Sequence, residues 1–125
     1  MEIIRRDQVQ VFVSPGVVSH QLLFPENSAS SRLTITKVVL EPGVVNARHQ
    51  HKSSEQVWVA VCGTGLLLLA NDETVPFSAG DIVRFEDGDV HGLHNAGAVP
   101  FEYLAVTSPP INFRAAYAAS GSATT

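Results

Sequence analysis

Cysteine is almost missing from this chain: Cys62 is the single one in 125 residues. An internal disulfide is therefore excluded, and a lone thiol fits a reducing compartment, so the cytoplasm is the expected location. Charge is sparse too, at 16% of residues with a net −4 at pH 7. No basic excess draws the chain to nucleic acid or to an anionic membrane surface, and neither partner is expected. No apolar run approaches the roughly 20 residues of a membrane span. The start, MEIIRRDQV, lacks the long apolar segment and small-residue cleavage site of a signal peptide. Also missing is the period of about 3.6 residues that marks a long helix. What the chain does hold is 45% hydrophobic residues. That composition reads as a soluble globular protein, and the length as one domain over residues 1–125 with a real core.

The hydrophobic residues come in short stretches broken by turn signals. Gln8 to Val13 alternates polar and apolar and stops at Ser14-Pro15-Gly16, Val17 to Phe24 reads as a second strand, and Arg32 to Leu40 as a third. Further strands are expected over Val57–Cys62, Leu66–Ala70, Thr74–Phe77, Ile82–Phe85, His91–Asn95 and Phe101–Val106, with a hairpin turn at Asn71-Asp72-Glu73. Many short strands at close spacing indicate an antiparallel sandwich or barrel. Past Pro109-Pro110 the character changes. Residues 111–117 suit a short helix or a strap across the body, with Phe113 and Tyr117 on one helical face, and 118–125 a frayed tail.

Against this background His49-Gln50-His51 stands out. On an extended strand alternate side chains share a face, so the two imidazoles would stand side by side with Gln50 turned away. Each ring carries a polar nitrogen that needs a partner, and a shared metal ion satisfies both. Lys52-Ser53-Ser54 turns the chain, and the returning strand can bring an oxygen donor, Glu55 or Gln56, beside the rings. A third histidine, His91, follows the turn at Asp87-Gly88.

These two stretches resemble the paired motifs of the cupin superfamily. Gly43, His49, His51 and Gly63 fall at the spacing of the first motif, and Gly80, Gly88, His91 and Asn95 at that of the second, with Glu86 where the family has proline. The resemblance implies an all-β fold, an antiparallel jelly-roll barrel or double-stranded β-helix, with its core motifs over about residues 30–107. It implies a divalent transition metal, iron, manganese, nickel or zinc, and the family habit of pairing implies a homodimer.

The motif count puts Gln56, not Glu55, at the family's glutamate position, so the implied ligands are His49, His51, Gln56 and His91. Glu55 would restore a carboxylate only with a one-residue bulge before Gly63, and alternation forbids both from facing inward. Gln56 needs no bulge and is the preferred reading. Four neutral donors leave the ion its full charge and favour an anionic or enolic small molecule. The expected activity is a metal-dependent enzyme of dioxygenase type. A non-catalytic cupin that binds or senses a small acid or sugar, and a metal-dependent isomerase or decarboxylase, are the alternatives. A β-sandwich with incidental histidines is the reading outside the family.

Other residues have plainer expectations. His94, three after His91, points to the opposite face, and His20 is a satisfied histidine. Cys62 is expected to be a buried, inert thiol and Trp58 a core or pocket wall, with Lys37, Arg48 and Arg84 facing solvent.

Overall fold

The computed structural model describes residues 1–111. The expected strap and tail over 111–125 therefore lie, beyond Ile111, outside the described residues. Ten strands run in chain order: β1 (Gln10–Ser14), β2 (Val17–Leu23), β3 (Thr34–Leu40), β4 (Val45–His49), β5 (Glu55–Cys62), β6 (Thr64–Leu69), β7 (Thr74–Ser78), β8 (Ile82–Phe85), β9 (His91–His94) and β10 (Phe101–Ser108). They form two antiparallel sheets, one of order β1-β2-β3-β10-β5-β8 and one of order β4-β9-β6-β7. This is the all-β jelly roll that the motifs imply. Among the described residues the helical turns are two short 3-10 pieces, Arg6–Gln8 and Ala70–Asp72. The first pushes the start of β1 to Gln10, and the second occupies the expected hairpin turn between β6 and β7. No helix among the described residues is long and apolar enough to cross a membrane.

Alternation decides what the six-stranded sheet shows to the interior. Buried residues occupy every second position of β3, β5 and β10, with half-buried or exposed ones between. The strand registers then stack the inward side chains in rows across the sheet. One row runs Val17, Leu40, Phe101 and the next Ser19, Val38, Tyr103, Ala60. After these come Gln21, Thr36, Ala105, Trp58, Val83 and finally Thr34, Thr107, Gln56, Phe85. The interior is thus apolar at one end of the barrel and polar at the other. Phe101, Tyr103, Val38, Leu40, Trp58 and Leu93 are fully buried and join the same apolar cluster as Phe77 and Leu67. Each large apolar side chain so buried stabilises the fold by about 1.5–3 kcal/mol.

A bulge does occur on β5, against the expectation that none is needed. Glu102 and Tyr103 pair with Cys62 and Ala60, which leaves Val61 extra. It lies beyond Ala60, so the alternation Gln56, Trp58, Ala60 is undisturbed and Gln56 still faces inward. Gly63 then turns the chain at φ +97°, where a Cβ would sit 3.1 Å from the Pro100 carbonyl oxygen. Both facts restrict that position to glycine.

Candidate metal centre

Three chain segments meet at the polar end. Strand β4 delivers His49 as its last residue, and the register sets His49 directly across from His91, the first residue of β9. His51 is not on the strand, contrary to the alternation argument. It lies just past the end of β4, where its carbonyl accepts the Gly88 N–H at 2.8 Å and ties this loop to the turn before β9. The rings converge all the same. Centroids are 4.4 Å apart for His49 and His91, 5.1 Å for His49 and His51, and 5.3 Å for His51 and His91. One nitrogen from each ring lies within 4.8 Å of the others.

The hydrogen bonds show which nitrogen is offered. His49 Nδ1 lies 2.7 Å from the Ala47 carbonyl oxygen and His91 Nδ1 lies 2.9 Å from that of Asp89. A carbonyl only accepts, so each Nδ1 carries the proton and each Nε2 keeps a bare lone pair. The Nε2 atoms of His49 and His91 are buried and have no hydrogen-bond partner, and that of His51 is equally shut off from solvent. Leaving such atoms unsatisfied is costly, whereas a shared cation satisfies them together. The donor set therefore fits a divalent transition metal, by the chemistry of the atoms it presents. His91 is stacked on Phe85 at 4.3 Å and meets the edge of Trp58 at 5.3 Å. Burial, and then the neighbouring His49, push its pKa down to about 4, so the ring is neutral at physiological pH and ready to donate.

Gln56 is fully buried on β5, across from Phe85. Its Nε2 donates to Thr107 Oγ1 at 2.8 Å, and its Oε1 accepts the Trp58 indole N–H at 3.2 Å. Because indole only donates, the amide orientation is fixed, and the oxygen keeps a second lone pair. Glu55 faces solvent and pairs with Arg84 at 2.6 Å, so no carboxylate from this strand enters the barrel.

The remaining candidates fall elsewhere. Arg84 also bonds Glu86, and Arg48 donates to the Leu69 carbonyl at 2.7 Å. His94 is half-buried and stands outside the three-ring group. His20 is half-buried, and its pKa is lowered by burial and by Lys37. Cys62 is exposed rather than buried, because it follows the bulge at the rim of the sheet. A cleft of about 340 Å³ borders Phe85, Leu69, Val83, Arg84 and Asp89, but none of the three imidazoles lines it. Sequence reasoning missed the parts that aim the rings: the carbonyls of Ala47 and Asp89, and the stacking face of Phe85. Backbone oxygens carry no residue signature, and Phe85 reads as an ordinary core residue.

Comparison with known proteins bears on the family and the fold. Residues 36–107 match the family model of the cupin domain. The chain is 28% identical over 85 residues to the oxalate-binding protein of Thermotoga maritima, spanning 68% of this chain and 69% of that protein. A solved structure of a predicted oxalate decarboxylase from Thermotoga maritima superposes with a TM-score of 0.74 at 23% identity, covering 87% of this chain and 100% of that one. The polyketide cyclase RemF from Streptomyces resistomycificus gives 0.75 at 17% identity, over 88% of this chain and 80% of its own. At these identities the two structures speak for the fold alone.

Proposed function

The chain belongs to the cupin family, and from that premise we propose a metal-dependent protein whose three-imidazole centre takes a small chelating anion and oxidises it with dioxygen. The observation that carries this reading is the pair of buried, unpartnered Nε2 atoms on His49 and His91, each with its Nδ1 proton already committed to a carbonyl. His51 supplies the third nitrogen, and Gln56 is the proposed fourth donor through the lone pair that Trp58 leaves on Oε1. A redox-active ion such as iron, manganese or nickel held there would supply the chemistry that dioxygen demands, whereas zinc, which has no redox chemistry, would supply Lewis acidity alone. All four donors are neutral and Glu55 is turned away, so an anion is the complement the site favours. Phe85 and Trp58 wall the centre on the β8 and β5 side and keep water from His91. A carboxylate, enolate or thiolate of small size is the substrate class.

A second reading has its own support. The relative from Thermotoga maritima is named for binding oxalate, and among the described residues no Asp or Glu joins the three-histidine group as an acid or base. On that reading the site holds a small dicarboxylate without turnover.

Elemental analysis of protein purified without a histidine tag, followed by titration with oxalate and by dioxygen-uptake assays on diketone, flavonol and thiol substrates, separates the two. Bound metal with oxygen consumption supports the enzyme. Bound metal with oxalate affinity and no turnover supports the binder. Wild-type protein that takes up no metal, indistinguishable from His51→Ala, would sink both.

A further inference from the structure

The approach of β4 to β9 is irregular next to the centre. Val45 and Asn46 pair with His94 and Leu93, and His49 pairs with His91, so Ala47 and Arg48 together stand opposite the single residue Gly92. Both residues of this bulge are exposed, while Asn46 before it is buried and His49 after it is half-buried. The bulge fits only because Gly92 has no side chain. A Cβ there would lie 2.6 Å from the Asn46 carbonyl oxygen, 2.9 Å from Arg48 N and 3.0 Å from the Ala47 carbonyl carbon. All three are backbone atoms that cannot swing aside.

The extra residue changes what the backbone can reach. In a regular antiparallel strand, carbonyls lie in the plane of the sheet and side chains stand perpendicular to it. A carbonyl two residues back then points away from the ring. A bulge bends and twists the strand, frees a backbone group from the ladder and can re-aim a neighbouring side chain. Here the carbonyl that meets His49 Nδ1 at 2.7 Å belongs to Ala47, a bulge residue. The other bulge residue, Arg48, donates to the Leu69 carbonyl at 2.7 Å, which holds the bulge against the end of β6.

We propose that the Ala47–Arg48 bulge, for which Gly92 makes room, is a positioning device that fixes the tautomer and orientation of His49 and so turns its Nε2 toward His51 and His91. The inference rests on the metal reading for its purpose but not for its geometry. Backbone groups that orient a metal-binding histidine typically contribute a factor of about 10–100 in metal affinity.

Deletion of Ala47 tests it. Asn46 and His49 then keep their registers with Leu93 and His91, and regular pairing replaces the bulge, so the variant should fold. Zinc affinity measured by chelator competition should fall about 10–100-fold. Nitrogen chemical shifts of metal-free protein at mildly alkaline pH should show His49 protonated at Nδ1 in the wild type and a tautomer mixture in the variant. Gly92→Ala should destabilise the wild type strongly and the Ala47 deletion much less, since the clash goes with the bulge. Unchanged zinc affinity in the folded deletion variant would overturn the proposal. So would a wild-type His49 protonated at Nε2, whatever the variants do. If the tautomer shifts as stated while the wild type takes up no zinc, the positioning stands and the metal reading fails.

Discussion

The two ends of one barrel interior differ in kind. At one end Leu40, Phe101, Val38 and Tyr103 fill the rows of the six-stranded sheet and meet Leu93, Leu67 and Phe77. At the other, Gln21, Thr34, Thr36, Thr107, Gln56 and His91 are buried just as deeply. The Thr34 hydroxyl is buried there with no hydrogen-bond partner, as are Nε2 of His49 and His91. An apolar end improves with every contact it makes, whereas buried polar groups cost stability wherever a partner is missing. The first end therefore holds the fold together, and the second keeps polar atoms available at a cost the first must cover. Stability and function are laid out along the same strands, a few residues apart.

The largest expected effect tests the apolar end. Phe101→Ala should lower unfolding free energy by about 3–5 kcal/mol in a denaturant titration; a loss below about 1 kcal/mol would mean this end is not the one that holds the barrel. Next comes the ligand of the polar end. Saturation with metal at about 100 times its dissociation constant should stabilise the protein by about 2.7 kcal/mol over the chelated form. His49→Ala should abolish that difference while leaving Phe101 protected from exchange.

Gln56→Leu is a smaller step of the same kind. It leaves the Trp58 N–H and the Thr107 hydroxyl without their partner, at about 1–3 kcal/mol, and should weaken metal binding if the amide oxygen is a donor. Gln56→Glu should instead tighten the metal and weaken oxalate, because a carboxylate cancels one unit of the ion's charge. Equal oxalate affinity in both proteins would argue against the neutral-donor account.

Acid titration gives the gentlest contrast. His91 has its pKa lowered from 6.5 to about 4, by burial first and His49 second. The fold prefers the neutral ring, so its contribution is fully present above pH 6.5 and is lost as pH falls toward about 4. Metal-free wild type should therefore lose stability across that window more steeply than His91→Gln, as read from melting temperature against pH. Parallel curves would show that His91 is not held neutral.

Much of this was legible without coordinates. Strand positions followed from alternation and from turn residues such as Gly63 and Asp87-Gly88, because a half-buried strand must repeat every second residue and a turn needs particular backbone angles. The convergence of His49, His51 and His91 followed from motif spacing. What alternation could not settle was phase: apolar residues sit on both faces of β5, and only pairing with β10 and β8 puts Gln56 inside and hands Glu55 to Arg84. The exposure of Cys62 was misjudged for the same reason, since the bulge at Val61 has no sequence mark.

The sequence alone determined which side chains could become ligands and roughly where each strand would run, because those depend on residue type and local period. Tertiary structure alone decided which ring nitrogen is bare, how the Gln56 amide is oriented and which carbonyls aim the imidazoles. Those outcomes depend on backbone groups from segments far apart in the chain, and every residue type carries the same backbone.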